Sequence, residues 1–263
     1  MPFSQRCNYY ERKHRKQGKR GEANQKLLRA LVTVHEKYPA MGLDSIYHFL
    51  KPEYGASRAR IHRLMVKFNI HSIRTKIYKG YKNSGGTDFA PNLLNRNFVT
   101  DAPNKIWVGD ITYIPTLEGW LYLAVVKDLF SKKIVGYAFS SRPDSNLVCN
   151  ALILALNRQK PNANLIFHSD RGCQYNSYAF KTLLSKYNII QSMSRSGNPY
   201  DNAVAENFFS CLKCECVHHS HFVSRKEACT TLFSYIEGYY NCIRPHSSIN
   251  WLCPNSFEKS FKY

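Results

Sequence analysis

Three acidic residues stand where an apolar core would not place them. Asp110 interrupts the run IWVGDITYIP, where a carboxylate must be hydrogen-bonded or serve as a ligand. Asp170 closes NLIFHSD at the carboxyl end of an expected strand, where open α/β sheets place their sites. Glu206 lies in AVAENFFSCLK, an expected helix whose Val204, Phe208, Phe209 and Leu212 surround it with apolar neighbours. Singly, each has a structural explanation: Asp110 as an Asx hydrogen-bonder, Asp170 as a turn former before Arg171-Gly172, Glu206 as a solvated helix residue. Together they are three hard oxygen donors. Converging on one sheet end, they can hold two Mg²⁺ ions about 4 Å apart, which activate an attacking oxygen and stabilise a leaving one in phosphodiester chemistry. Close carboxylates repel when ionised, and divalent cations relieve that repulsion while keeping them deprotonated.

Those acids need a sheet to hold them. From Lys105 the runs IWVGDITYIP, WLYLAVVKDLF and KIVGYAFS, separated by LEG and SK, read as three adjacent strands. Residues 144–159 follow as a helix with Leu147, Val148, Ala151, Leu152, Ala155 and Leu156 facing inward. A short strand through NLIFHSD, a helix around 177–186, a short strand at 189–192 and a helix opened near Asp201 complete the order βββαβαβα. The expected class is α/β, a mixed sheet covered by helices, too strand-rich at its start for a simple doubly wound fold. No Gly-rich phosphate loop follows any strand.

The charge lies elsewhere. The chain has 37 Lys+Arg against 18 Asp+Glu, a formal +19. Residues 1–82 hold 19 of the basic and 5 of the acidic residues, a net +14, and residues 83–263 only +5. Such density along a short helical region goes past solubility and implies phosphate neutralisation. Within it, residues 22–37 read as a helix through Leu27, Leu28, Leu31 and Val34, ended by Tyr38 and Pro39. A second short helix is expected at 44–50, with Asp44 as a possible N-cap, before Pro52, Tyr54 and Gly55 interrupt it. Ser57 would cap a third, with Ile61, Leu64, Met65 and Phe68 on one side and Arg58, Arg63 and Lys67 outward, toward DNA. Two short helices joined by a glycine-containing turn suit a helix-turn-helix, a pattern that small helical bundles also produce.

Residues 71–104 hold no convincing period, and Gly80, Asn83, Ser84, Gly85, Gly86, Pro91 and Pro103 mark a linker. The expected division is a basic tail at 1–20, a helical DNA-binding domain at 21–79, a linker at 80–104, a catalytic core at 105–220 and a helical extension at 221–263. With 44% hydrophobic residues the chain can bury a real core, which excludes disorder or fibre as its description. No run of 18 apolar residues and no secretory-type start is present, so a cytoplasmic, nucleoid-associated protein without a membrane segment is expected. Nine scattered Cys give no disulfide framework and read as reduced thiols.

Four strings in order carry a resemblance: WVGDITYI at 107–114, FHSDRGCQY at 167–175, GNPYDNAVAENFFSCLK at 197–213 and YYNCIRPHSSI at 239–249. The sequence resembles the second-frame (OrfB) protein of the IS3-family insertion-sequence transposases, with a retroviral-integrase-type catalytic core in the ribonuclease H-like superfamily. Asp170 and Glu206 have 35 residues between them, the spacing of that family's acidic triad. The resemblance extends to YGASRARIHRLM at 54–65, like the family's helix-turn-helix segment, and to Asn8-Tyr9-Tyr10, like the start of this frame. It implies Asp110, Asp170 and Glu206 as catalytic, metal-holding residues with two Mg²⁺ (or Mn²⁺) per site. It also implies a basic residue meeting DNA near the scissile phosphate at Lys213, two helical turns after Glu206.

The reaction it implies is nicking at the element end by water, followed by attack of the exposed 3′-OH on another phosphodiester. Joining occurs first between the element's own ends, giving a circle, and then into target DNA. Partners are double-stranded DNA, further copies of the chain on that DNA, and the upstream-frame helix-turn-helix and leucine-zipper protein, which residues 1–263 do not include. His168 and Asn202 are candidates to support the carboxylates from behind, or serve in strand packing and helix capping. Arg244 and His246 either bind DNA or brace the fold. Cys211, Cys214, Cys216, His218, His219 and His221 have a zinc-like composition, but three of the cysteines share the Glu206 helix with no knuckle between them, so no zinc is expected. Cys173 beside Asp170 lacks the partners of a nucleophile. The rival reading is a catalytically inactive DNA-binding remnant or regulator that competes for element ends. A ribonuclease H-type nuclease acting on hybrids has no RNA-contact feature to support it.

Overall fold

The computed structural model describes residues 19–73, 89–161, 164–195 and 203–261. Its contacts divide the chain into two units, 1–74 and 75–263. Nearly all of the expected basic tail, the start of the expected linker, and Asp201 and Asn202 lie outside the described residues.

The first unit has three helices, α1 (Lys19–Lys37), α2 (Leu43–Tyr54) and α3 (Arg58–Lys67). Their apolar positions recur at helical spacing, and Leu27, Leu31, Ile46, Leu50, Ile61 and Met65 form a common buried interior. Ser57 caps α3 as expected, its hydroxyl accepting from the Arg60 N–H at 3.3 Å. Asp44 does not cap α2. That place belongs to Gly42, and Asp44 sits in the first turn, where its carboxylate accepts from the Arg58 guanidinium, which lowers the acid's pKa. Nor does α2 stop at Leu50: it runs through Pro52 and ends at Gly55, whose φ of 56° is the left-handed geometry of a helix stop. A proline so near the end disturbs only the last turn. Phe68 is 46% exposed rather than inward, because α3 ends at Lys67 and the backbone at Phe68 leaves the helical period.

The second unit is built on a five-stranded mixed sheet of β1 (Ile106–Thr116), β2 (Gly119–Asp128), β3 (Ile134–Ser140), β4 (Ile166–Ser169) and β5 (Ile190–Met193). Its order is β3-β2-β1-β4-β5, with β1, β2 and β3 antiparallel and β4 and β5 parallel to β1. On one face lie α4 (Ser145–Gln159) and α5 (Tyr178–Lys186). Asp144 caps α4, accepting from the Leu147 N–H at 3.0 Å, and the six inward residues expected of α4 are all buried. The helix comes so near β3 that a Cβ at Gly136 would collide with the Ala151 carbonyl. The other face is covered by α6 (Ala203–Glu215) and α7 (Arg225–Phe233), whose Phe208, Leu212 and Leu232 pack on Ile114, Leu123 and Val125. Each fully buried side chain of this kind contributes about 1.5–3 kcal/mol before chain entropy is counted.

After α7 a π-helical stretch, Ser234–Tyr240, leads to Asn241, whose amide pairs in both directions with the Ile134 backbone. A last helix, α8 (Pro254–Phe261), is pinned by the Lys133–Glu258 ion pair at 2.7 Å. A mixed sheet with helices on both faces, preceded along the chain by a small helical unit, is the ribonuclease H-like arrangement expected. Among the described residues, no helix is long and apolar enough to cross a membrane.

Candidate active site

Two of the three acids are positioned by the sheet. The parallel register pairs Trp107 with Phe167, Val108 with His168 and Gly109 with Ser169, so Asp110 and Asp170 come next on neighbouring strands. Gly109 matters to this register: a Cβ there would run into the Phe167 ring and stand 3.3 Å from the Tyr175 phenol oxygen. Asp110 accepts from the Ile111 N–H at 2.8 Å. Asp170, just past β4, accepts from the Gly172 N–H at 3.0 Å. Arg171 turns away, donating to the Ser194 carbonyl at 2.8 Å with its guanidinium over the Phe89 ring.

The two aspartates share a cleft with Tyr113, Trp120, Pro143 and Tyr175. Gln174 holds the approach to α4 there by donating to the Pro143 carbonyl at 2.7 Å. Burial raises the Asp170 pKa, the Gly172 N–H partly offsets it, and the charge of Glu206 raises it further. Burial also drives the Tyr175 phenol well above its usual value, and the charges of Asp110 and Asp170 add to that. Glu206, in the first turn of α6, thus acts electrostatically on Asp170. Among the described residues no three His, Cys, Asp or Glu side chains stand close enough to hold a metal ion as a group. Mutual repulsion opposes a closer approach of three ionised carboxylates.

Lys213, seven residues after Glu206 on α6, places its ammonium 4.8 Å from the centre of the Tyr113 ring. Burial lowers its pKa, and the charge of Asp110 opposes that shift. His168 is fully buried in β4, its Nδ1 sharing a 2.9 Å hydrogen bond with Ser192 Oγ, which ties β4 to β5 two residues before Asp170. Asn202 lies outside the described residues.

Arg244 points into the fold. Its Nη2 and Nε reach Glu215 at 2.8 and 2.9 Å, a pair whose side chains are 14% and 3% exposed. That geometry suits the bracing role rather than a phosphate contact. His246 packs against Tyr240, and burial, with the positive charge of Arg244, pushes its pKa down to about 3, so its ring is neutral at neutral pH. Cys211 and Cys214 are buried in α6, and the Cys211 sulfur accepts from Arg244. Arg58, Arg63 and Lys67 are all exposed in the first unit, Arg58 paired with Asp44. Tyr113, Trp120, Tyr175 and the buried Lys127 are not among the residues expected from the sequence. The first two carry a signal as large aromatics close to the tight turn that joins β1 and β2.

Residues 100–199 and 187–254 each match a family described as Integrase core domain. The chain is 41% identical over 232 residues to the transposase for insertion sequence element IS904 of Lactococcus lactis subsp. lactis (strain IL1403), covering 82% of this chain and 92% of that protein. It is also 41% identical over 223 residues to transposase InsF for insertion sequence IS3A of Escherichia coli (strain K12), covering 79% and 77%. The chain therefore belongs to the IS3 family of transposases, as an OrfB-type protein with an integrase catalytic core. Among solved structures, a chain of the simian T-cell lymphotropic virus intasome in complex with PP2A regulatory subunit B56 gamma is similar at a TM-score of 0.51 and 15% identity, over 87% of this chain and 74% of that one. At that identity the likeness speaks for the fold alone.

Proposed function

We propose that this chain catalyses metal-dependent DNA strand cleavage and strand transfer at insertion-sequence ends, with Asp110, Asp170 and Glu206 holding the metal. The observation that carries the reading is the adjacent placement of Asp110 and Asp170 on one cleft, with the charge of Glu206 acting on Asp170. Three hard carboxylate donors fit Mg²⁺ or Mn²⁺, two ions per site, and an added positive charge would oppose the burial and the Glu206 charge that raise the Asp170 pKa. When bound, such a metal pair lowers the pKa of an attacking water or 3′-OH and stabilises the leaving oxygen.

The chain's own residues do the rest. The sheet fixes Asp110 and Asp170, and α6 supplies Glu206. Lys213, on the same helix, meets a phosphate beside them. His168 steadies the end of β4 through Ser192. Arg58, Arg63 and Lys67 hold double-stranded DNA, both element ends and target, from the helical unit. No covalent protein intermediate is needed, since the nucleophile is water or the DNA 3′-OH. Two ends must meet in one reaction, so the working form is an oligomer on DNA, joined to or associated with the upstream-frame protein.

The test is a duplex carrying the element's terminal inverted repeats, incubated with the full chain and Mg²⁺ or Mn²⁺. Nicking or joining is expected, and Asp110→Asn, Asp170→Asn or Glu206→Gln abolishes it. Binding without metal-dependent chemistry would favour the inactive competitor for element ends.

A further inference from the structure

Tyr113 and Trp120 are large aromatic side chains that remain 47% and 49% exposed, whereas Trp107, on the same strand as Tyr113, is fully buried. Both stand in the wall of the cleft that contains Asp110 and Asp170. The β1–β2 register pairs Tyr113 with Tyr122 and Pro115 with Trp120, which sets Trp120 diagonally across from Tyr113 on one face of the hairpin. Their rings meet edge to face, with centres 5.0 Å apart at 85°. The Lys213 ammonium covers Tyr113. The cleft, with the Lys213 ammonium beside its Tyr113, thus offers a π surface open to water, a cation and two carboxylates, and these match a base, a neighbouring phosphate and the reacting phosphodiester of a DNA strand.

We propose that Trp120, backed by Tyr113, stacks an unpaired DNA base flanking the phosphodiester held at Asp110 and Asp170, while Lys213 meets the adjoining phosphate. The subsite rests on the reading of the chain as a DNA strand-cleaving enzyme. The base must be unpaired, because a base inside a duplex has its faces covered by its neighbours, and only a frayed or extruded one can offer a face to an indole. Such stacking is tolerant of sequence, since every base has a π face. It would keep the strand in the cleft at whatever nucleotide borders the cut.

The chain's three tryptophans are Trp107, Trp120 and Trp251, all in the second unit, so indole emission reports on that unit. The full chain, with Ca²⁺ replacing Mg²⁺ to hold back cleavage, is titrated with a (dT)12 oligonucleotide and with an abasic oligonucleotide of the same length. Quenching by (dT)12 but not by the abasic strand is expected, and Trp120→Phe, which keeps an aromatic ring for folding, loses the quench. On a cleavable end duplex with Mg²⁺, Trp120→Ala should lower cleavage by about 5- to 150-fold and Trp120→Phe by much less. Equal quenching by the abasic strand, a quench that survives in Trp120→Phe, or unchanged cleavage in Trp120→Ala overturns the stacking subsite while wild-type cleavage stands. Absence of wild-type cleavage overturns instead the reading on which it rests.

Discussion

Asp110 and Asp170 each follow one member of the same residue pair, Gly109 and Ser169, the last pair in the parallel β1–β4 register. Their closeness is therefore a property of the sheet and not of flexible side chains, and it depends on the Phe167 ring lying where a Cβ of residue 109 would be.

Gly109→Ala should accordingly damage both fold and chemistry. The ring of Phe167 belongs to the packed core and cannot swing away freely. A loss of about 1–3 kcal/mol is expected in urea unfolding. Cleavage should fall by more than about tenfold, because small displacements at a reacting centre are amplified. Trimming the ring in Gly109→Ala/Phe167→Leu should recover part of the activity. A Gly109→Ala protein with wild-type cleavage would show that the register does not position the acids.

Much of this architecture was legible in the chain. The inward face of α4 follows from apolar residues three and four apart, and Ser57 announces its helix because a short side-chain oxygen can cap an open N–H, a role that Asp144 and Ser177 also fill at α4 and α5. Asp110 and Asp170 were legible as acids in apolar strands. Long-range pairings were not. Nothing local to Arg244 says that its partner is Glu215, 29 residues earlier, nor that Asp44 will turn to Arg58 instead of capping its own helix. The exposure of Trp120 depends on which part of the sheet face the helices leave uncovered, a tertiary fact with no sequence period.

Lys127 makes stability depend on pH. It is 3% exposed on β2 and donates to the Val204 carbonyl at 3.3 Å. Burial lowers its pKa from 10.5 to about 7, with repulsion from Lys132 and Arg244 in the same direction. Between those two values the unfolded chain holds the proton and the folded chain does not, so stability rises with pH across that window. Lys127→Met should be more stable than wild type below about pH 7, on the order of a few kcal/mol, with the gap closing as pH approaches 10.5. Urea unfolding at several pH values checks this, and a pH-independent difference would contradict it.

Arg244→Met leaves Glu215 buried without its guanidinium, although the Tyr235 hydroxyl still donates to it at 2.8 Å. Breaking one side of such a pair costs about 3–5 kcal/mol. Arg244→Met/Glu215→Leu should regain much of that. Unfolding midpoints of the three proteins measure it, and an Arg244→Met chain of wild-type stability but weakened DNA binding would restore the DNA-contact role.

Arg63 and Lys67 should act on DNA affinity without touching chemistry. Each alanine substitution is expected to weaken binding similarly across DNA sequences and to reduce the slope of log affinity against log salt by about 0.9. Fluorescence anisotropy over a salt series reads this. An unchanged slope in the double variant would remove both from the DNA interface.

The proposal to be tested most directly is that Asp110, Asp170 and Glu206 together perform the strand chemistry. The most direct measurement is cleavage of an inverted-repeat duplex by the full chain, with and without Mg²⁺, beside Asp110→Asn, Asp170→Asn and Glu206→Gln, each checked for folding by circular dichroism. Metal-dependent nicking by the wild type is expected, and none by any of the three folded variants. Cleavage at the wild-type level by any one of them, or wild-type cleavage that needs no divalent metal, would contradict it.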